Sequence, residues 1–355
     1  MLVEGGTQRL AEERRDDEGA ELIYAPEIEQ PISRKAGKRG FLYYDHAGKR
    51  ITDPVAIERI NKLAIPPAYE GVQIASDPQA HLQAIGRDNR GRKQYRYHPL
   101  WTEGRGQAKF ALLADFARAL PRIRQQVDQD LRLRKLTIDK AIATVVWILD
   151  NLLIRVGNST YARDNGSFGV TTLRNRHVAI EGNEVRFQFR GKSGKEWRLS
   201  HRDRRITRTL RALQELPGQQ LFQYIDEDGT RHAVRSQDVN AYIRKASGGM
   251  FSSRQFRTWG ATCLAAMELA QLETAESIRA RAQALNAVID TVAGKLVNTR
   301  AVCRSSYIHP QVLQAFEQGE IQTILKLRLP RKQEFWEWMD EEEIRVMHWL
   351  QRMAG

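Results

Sequence analysis

The chain has 355 residues, 41% of them hydrophobic, enough for two or three domains that each bury a core of their own. Its formal net charge is +13 with a pI near 9.9, yet 43 Asp and Glu accompany the basic excess. The charge therefore belongs to a folded surface rather than to a tail, and it calls for a polyanionic partner or, more blandly, marks a soluble basic protein. Two cysteines, Cys263 and Cys303, without CxxC spacing argue against a disulfide framework and for a reducing compartment.

The first 21 residues, with the charged run Glu12-Glu-Arg-Arg-Asp-Asp-Glu18 and no apolar h-region, read as a disordered tail and not as a signal peptide. From 22 to 101, short apolar runs between turn signals predict a β-rich domain. Phe41–Asp45, a turn at His46–Gly48 and Lys49–Ile51 are expected to form a hairpin, with further strands at Val72–Ile74 and Lys93–Tyr97. In Gly86-Arg-Asp-Asn-Arg-Gly-Arg-Lys-Gln-Tyr-Arg-Tyr-His98, basic residues alternate with aromatics. Guanidinium groups on phosphates with rings on sugars or bases would use that pattern, and so would a solvated edge strand charged against aggregation. Residues 102–108 have the composition of a linker.

From 109 to 355 the hydrophobic period becomes helical. Phe110, Leu113, Phe116 and Leu120 recur before Pro121, which is expected to restart the chain. Ile142, Val145, Val146, Leu149, Leu152 and Leu153 continue the pattern. The apolar stretch Ala141–Ile154 is broken by Asp150 and Asn151 and falls short of the ~20 residues of a bilayer span, so it reads as a core helix of a cytoplasmic protein without a membrane partner. Gly169–Thr172, His177–Ile180, Glu184–Phe189 and Glu196–Leu199 predict a three- or four-stranded antiparallel sheet with turns at 181–183 and 192–195. Helices resume around Ser236, after Ser253, across Thr274–Val297 and from Asp340. The expected fold is α+β, a small β-rich N-terminal domain followed by a larger, mostly helical domain carrying a small antiparallel sheet.

Gly191-Lys-Ser193 is no P-loop, because Arg186 stands where that motif needs a glycine. Lys192 falls instead on a hairpin tip, where a lysine is either solvated or reaches into a groove. Arg257 is placed in the first turn of a helix, against its dipole. The eight histidines include no i, i+4 pair and have no cysteine nearby, so neither a metal nor another cofactor is expected. His309 lies two residues from Tyr307, but the adjacent Pro310 marks a helix boundary that points it away, toward a structural or exposed role.

Arg155, Lys192, Arg257, Asn298 and Tyr307 together read as a phosphoryl-transfer site. A tyrosine with its free pKa near ~10 is a poor nucleophile, so attack on a phosphodiester needs cations for the transition-state charge and an acid for the leaving oxygen. Two arginines and a lysine supply that set.

In order along the chain, Leu63-Ala-Ile-Pro-Pro-Ala-Tyr69, Gly86–Tyr95, Arg155-Val-Gly-Asn158 with Tyr161, Phe189-Arg-Gly-Lys192, Phe256-Arg-Thr-Trp259 and Asn298–Pro310 resemble a bacterial, poxvirus-like type IB DNA topoisomerase over roughly residues 22–320. The resemblance implies a monomer clamping duplex DNA, Tyr307 attacking a backbone phosphate to give a 3′-phosphotyrosyl link, and supercoil relaxation without ATP or a required metal. It implies Arg155 and Arg257 on the non-bridging oxygens and Lys192 as general acid. Asn298 stands where the poxvirus enzymes have histidine, and an amide can donate a hydrogen bond but cannot titrate. Arg92, Tyr95, Tyr97, Arg105 and Tyr161 become expected DNA contacts. Tyrosine recombinases share the Arg, Lys, Arg and Tyr set and are the runner-up. They place histidine three residues before the second arginine, where this chain has Arg254, and a helical module where it has a β-rich one.

Overall fold

The structure, a computed structural model, describes residues 22–354 except 26, 39, 90 and 274–276, with side chains described throughout save at 103, 105–108 and 354. The expected tail lies outside the described residues. The described residues fall into two compact units, divided between Lys109 and Phe110.

The first unit is a five-stranded antiparallel sheet of β1 (Ile32–Gly37), β2 (Gly40–Tyr44), β3 (Glu70–Ile74), β4 (Leu82–Arg87) and β5 (Lys93–Tyr97), in the order β2-β1-β3-β4-β5. Helix α1 (Pro54–Lys62) adds Ile60 to a core of Ile32, Tyr43, Val72, Ile74 and Ala84. It starts sharply, because the Asp53 carboxylate accepts from the amides of Val55 and Ala56 and Pro54 suits the first helical position. That start also shortens the expected hairpin. The Asp45–Lys49 turn does bring Arg50 opposite Tyr44, with the Ile51 amide bound to the Tyr43 carbonyl at 2.9 Å, but the return arm is a single bridge before α1 begins, and β2 pairs along its length with the preceding β1.

The expected linker at 102–108 is instead the middle of helix α2 (Pro99–Ala111). Pro99 opens it and the His98 ring accepts from the Leu100 amide. With the helix so started, Gly104 and Gly106 cost about 1 kcal/mol each and do not end it.

The second unit opens with α3 (Leu113–Leu131), α4 (Ile138–Leu152) and α5 (Ser159–Asn165). A three-stranded antiparallel sheet of β6 (Val178–Glu181), β7 (Glu184–Arg190) and β8 (Glu196–Arg202) follows. Along β7 the alternate residues Val185, Phe187 and Phe189 are buried, the period-two pattern of a sheet with one dry face. Then come α6 (Arg204–Gln214), the short hairpin β9 (Gln223–Ile225) and β10 (Arg231–Ala233), α7 (Ser236–Ser247), α8 (Arg254–Gln271), α9 (Ile278–Leu296), α10 (Arg300–Ser306), α11 (Pro310–Glu317), α12 (Gln333–Trp338) and α13 (Glu341–Ala354). Helix α8 is central, burying Phe256, Arg257, Thr258 and Trp259 in its first turns and packing against α3, α4, α9, α11 and α13.

Two expectations fail here. Pro121 lies inside α3 rather than restarting the chain, because nine buried residues, Pro121 among them, outweigh the one hydrogen bond that proline removes. Gly169–Thr172 is a single 3-10 turn, not a strand, because its amides are taken by the chain just beyond α4: Val170 donates to Arg155 (2.8 Å) and Thr171 to Val156 (2.7 Å). Among the described residues no helix is long and apolar enough to cross a membrane.

Candidate active site

Arg257 enters the site from α8 and is 3% exposed. A guanidinium so dry must be satisfied. It donates to the carbonyl of Leu153 through Nη1 and to that of Leu296 through Nη2, the latter at 3.0 Å. Leu153 caps α4 and Leu296 is the last residue of α9, so the cation sits at the negative ends of two helices. Their fields replace the unfavourable one of its own helix, whose N-terminus made the position look awkward in sequence. Both acceptor turns use the left-handed region without glycine, at Leu153 (φ 53) and at Val297 (φ 51), a conformation costing about 1–2 kcal/mol each. Packing holds that strain where it serves the arginine.

Arg155 follows the end of α4 and is fixed by its backbone. Its carbonyl receives the Val170 amide, and a Cβ on Gly169 would stand 2.5 Å from that carbonyl and from the Gly157 backbone. Only glycine permits the approach. The Arg155 guanidinium donates through Nη2 to the Asn298 side-chain oxygen. Asn298 follows the α9 cap, with its own amide bound to the Ala293 carbonyl at 2.9 Å.

Tyr307 closes α10. Its amide bonds to Cys303 and its carbonyl accepts from the Thr262 hydroxyl at 3.2 Å, while that hydroxyl accepts from the His309 amide at 3.1 Å. Thr262, fully buried on α8, thus ties the tyrosine's backbone to the helix that carries Arg257. The Tyr307 ring lies 5.0 Å from the Arg257 guanidinium carbon. Burial alone would push the phenol pKa up, but the charges of Arg257 and Arg155, with hydrogen bonds from both, outweigh it and bring it below the ordinary value. Arg257 pays in turn: burial first, then repulsion from Arg155, lowers its pKa to about 10. Two buried polar atoms here have no hydrogen-bond partner, Nε of Arg257 and Nδ2 of Asn298. Both are donors, the groups an anion would satisfy.

The β7–β8 turn reaches the same place. Trp197 of β8 lies 5.9 Å from the Arg257 guanidinium, and a Cβ on Gly191 would meet its ring at 2.7 Å, so the turn Lys192–Gly194 is held close against that indole. The Lys192 side chain is exposed at the tip of that turn. Lys195, which the sequence reading passed over, is close enough for its charge to act on the Cys303 thiol. Burial nevertheless raises that thiol's pKa and keeps it protonated, so it does not compete with the phenol. His309 caps α11, with its ring nitrogen accepting from Gln311 at 3.2 Å and its ring 5.2 Å from Phe110, and burial lowers its pKa to about 4. It is structural.

The comparisons with known proteins agree on one family. The model for the catalytic core of eukaryotic DNA topoisomerase I matches residues 99–333, and that for the N-terminal domain of bacterial DNA topoisomerase IB matches residues 40–88. The DNA topoisomerase 1B of Acanthamoeba polyphaga mimivirus is 33% identical over 290 residues, 80% of this chain and 86% of the viral protein. The chain belongs to the type IB DNA topoisomerases. Vaccinia virus (strain Copenhagen) DNA topoisomerase 1B is 24% identical over 226 residues, 58% of this chain and 71% of its own. Mycosarcoma maydis DNA topoisomerase 1 is 24% identical over 172 residues, 43% of this chain and 17% of its own. All these relatives are topoisomerases, and nothing favours the recombinase reading.

In this topoisomerase the core match spans Arg155, Lys192, Arg257, Asn298 and Tyr307. Arg155, Arg257, Asn298 and Tyr307 converge directly, and Lys192 stands on a turn buttressed by the same cluster. The other expected contacts lie on separate elements. Tyr95 and Tyr97 on edge strand β5 are 47% and 43% exposed, with rings nearly parallel and centroids 6.2 Å apart. Arg92 is ion-paired with Asp88 at 2.6 Å. Tyr161, on α5, is 56% exposed. Arg105 lies in α2 with its side chain outside the described residues.

The shifted phenol gives a direct expectation. In an ultraviolet titration, the difference between wild type and Tyr307→Phe should show one phenol ionising below pH ~10, because nearby cations favour the phenolate. Removing Arg155 should move that midpoint up. A midpoint at or above the free value would mean that burial wins and the arginines do not reach the oxygen.

Proposed function

We propose that the enzyme relaxes supercoiled duplex DNA by a cleavage in which Tyr307 attacks a backbone phosphate, with Arg155 and Arg257 on the non-bridging oxygens and Asn298 donating an amide proton. The observation that supports this most is the convergence of two guanidinium groups, one tyrosine hydroxyl and two partnerless buried donors on one spot. As the phenol oxygen bonds to phosphorus its proton is lost, the P–O5′ bond breaks, and the 5′ oxygen takes a proton. Religation reverses each step. The phosphotyrosyl bond conserves the energy of the broken ester, so no nucleotide is required, and the guanidinium pair carries the charge that a metal could otherwise carry. The enzyme is expected to act as a monomer around the duplex. Plasmid relaxation in EDTA without ATP tests the activity. Sequence-dependent strand exchange, or binding without relaxation, would contradict it.

Lys192 is the proposed acid for the leaving 5′ oxygen, because its turn is anchored on Trp197 beside Arg257. Lys192→Ala should slow cleavage of ordinary DNA far more than cleavage of a substrate with sulfur at the 5′-bridging position, since a thiolate leaves without a proton. Lys195→Ala is the control. Equal defects on both substrates would leave Lys192 as a charge only, and sulfur rescue of Lys195→Ala would transfer the role to it.

Tyr95 and Tyr97 are proposed as a stacking platform on DNA, with Arg92, Arg105 and Tyr161 on or near the backbone. Replacing both tyrosines with alanine should weaken binding while leaving the slope of log K against log salt unchanged, because neither releases a counterion, whereas each lost phosphate contact changes it by about 0.9. Unchanged affinity would place β5 off the DNA.

A further inference from the structure

Beyond the core match, which ends at residue 333, the C-terminal helix α13 brings a carboxylate to the back of α8. Glu343 accepts from the Trp259 indole nitrogen at 2.8 Å. Trp259 stands two residues after Arg257, about 200° around the helix, so the bond grips α8 on the side away from the site. Glu343 also receives the guanidinium of Arg124, at 2.8 Å from Nη2 to Oε1 and through Nη1 to Oε2. Arg124 in turn holds Asp150, at 2.7 Å from Nε and 3.0 Å from Nη2, and donates to the Trp338 carbonyl at 2.7 Å. Asp150 lies three residues before Leu153, whose carbonyl receives Arg257. The two sides meet tightly, because a Cβ on Gly260 would stand 2.8 Å from the Leu153 side chain.

One buried ion network therefore fastens both the helix that carries the Arg257 guanidinium and the turn that receives it. We propose that Glu343, through Trp259 and Arg124, is a positioning residue that sets the aim of Arg257 at the scissile phosphate, making α13 a brace for catalysis rather than a DNA-binding tail. The proposal rests on the catalytic role of Arg257. Glu343 and Asp150 have side chains only 12% exposed, so removing one partner leaves a mostly buried charge without its counter-ion. The network then relaxes, and α8 with it. Misplacement of a transition-state donor by a fraction of an ångström to an ångström acts on the chemical step and spares the ground-state complex.

The test measures single-turnover cleavage of a suicide duplex at saturating enzyme, together with DNA affinity and thermal melting, for Glu343→Ala, Glu343→Gln and Trp259→Phe, each alone and combined with Arg257→Ala. Glu343→Ala and Trp259→Phe should cleave on the order of 10- to 100-fold more slowly with affinity little changed. Glu343→Gln, which keeps an acceptor for the indole, should be faster than Glu343→Ala. Neither Glu343→Ala nor Trp259→Phe should slow the Arg257→Ala enzyme further, whereas a defect of general stability would multiply. Wild-type cleavage by folded Glu343→Ala, or multiplicative losses in the Arg257→Ala background, would overturn the proposal. If Glu343→Ala does not fold, Trp259→Phe, which removes the indole donor and the bulk of its second ring but keeps an aromatic side chain, decides by the same criteria at a temperature where its melting curve shows it folded. Normal cleavage by Arg257→Ala alone would instead overturn the role of Arg257, and the brace with it.

Discussion

Tyr307→Phe is expected to bind duplex DNA about as well as the wild-type enzyme and to form no covalent adduct. The phenylalanine ring keeps the packing against the Arg257 guanidinium, which the structure sets 5.0 Å from the ring centre. The backbone that Thr262 holds is untouched. Only the oxygen goes. With it goes the group whose ionised form both arginines favour, while the cationic pocket remains. Affinity should therefore survive while cleavage disappears, a separation that a merely destabilised protein does not show. A denatured-gel adduct in this variant would move the nucleophile elsewhere, first to Ser305 or Ser306, the neighbouring hydroxyls on α10.

Arg257→Ala should cost on the order of 10²–10³-fold in cleavage, the loss seen when one preorganised transition-state donor is deleted. The preorganisation is visible, with two helix-end carbonyls fixing the guanidinium before any substrate arrives and one nitrogen left unpaired. Lysine should not restore the rate, because an ammonium on a flexible stem cannot bridge both carbonyls and still offer a donor. Truncation also strips those carbonyls of their partner, so some loss of stability is expected, on the order of 1–3 kcal/mol for each buried group left unsatisfied. Arg155→Ala, by comparison, frees the Asn298 oxygen and the Tyr307 phenol but no helix-end carbonyl, and its cleavage defect should come with a smaller loss of stability. If either variant lost mainly affinity, the arginines would be phosphate anchors rather than catalysts.

Much of this site was legible before the fold. The family resemblance carried by short motifs picked out Tyr307, Arg155, Arg257 and Asn298, which the structure brings into contact or near it. Periodicity found the helices and the β6–β7–β8 sheet because their burial patterns are local. What stayed hidden is what only tertiary structure supplies. The left-handed caps at Leu153 and Val297 carry no glycine to announce them, and the carbonyls that hold Arg257 come from segments over a hundred residues and about forty residues away. Thr262 and Trp197 look like ordinary core residues in sequence. Pro121 and the glycines of α2 misled for the opposite reason, since local breaker signals lost to burial and to a well-capped start.

The central claim, that Tyr307 forms the covalent bond to DNA, is tested most directly by trapping the complex with denaturant during relaxation in EDTA, digesting it, and sequencing the linked peptide and the cut end. The expected product is the segment containing Tyr307 joined through its phenol oxygen to a 3′ phosphate, with a free 5′ hydroxyl on the other strand end. A linkage through Ser305, Ser306 or any other residue, or to a 5′ phosphate, would contradict the account.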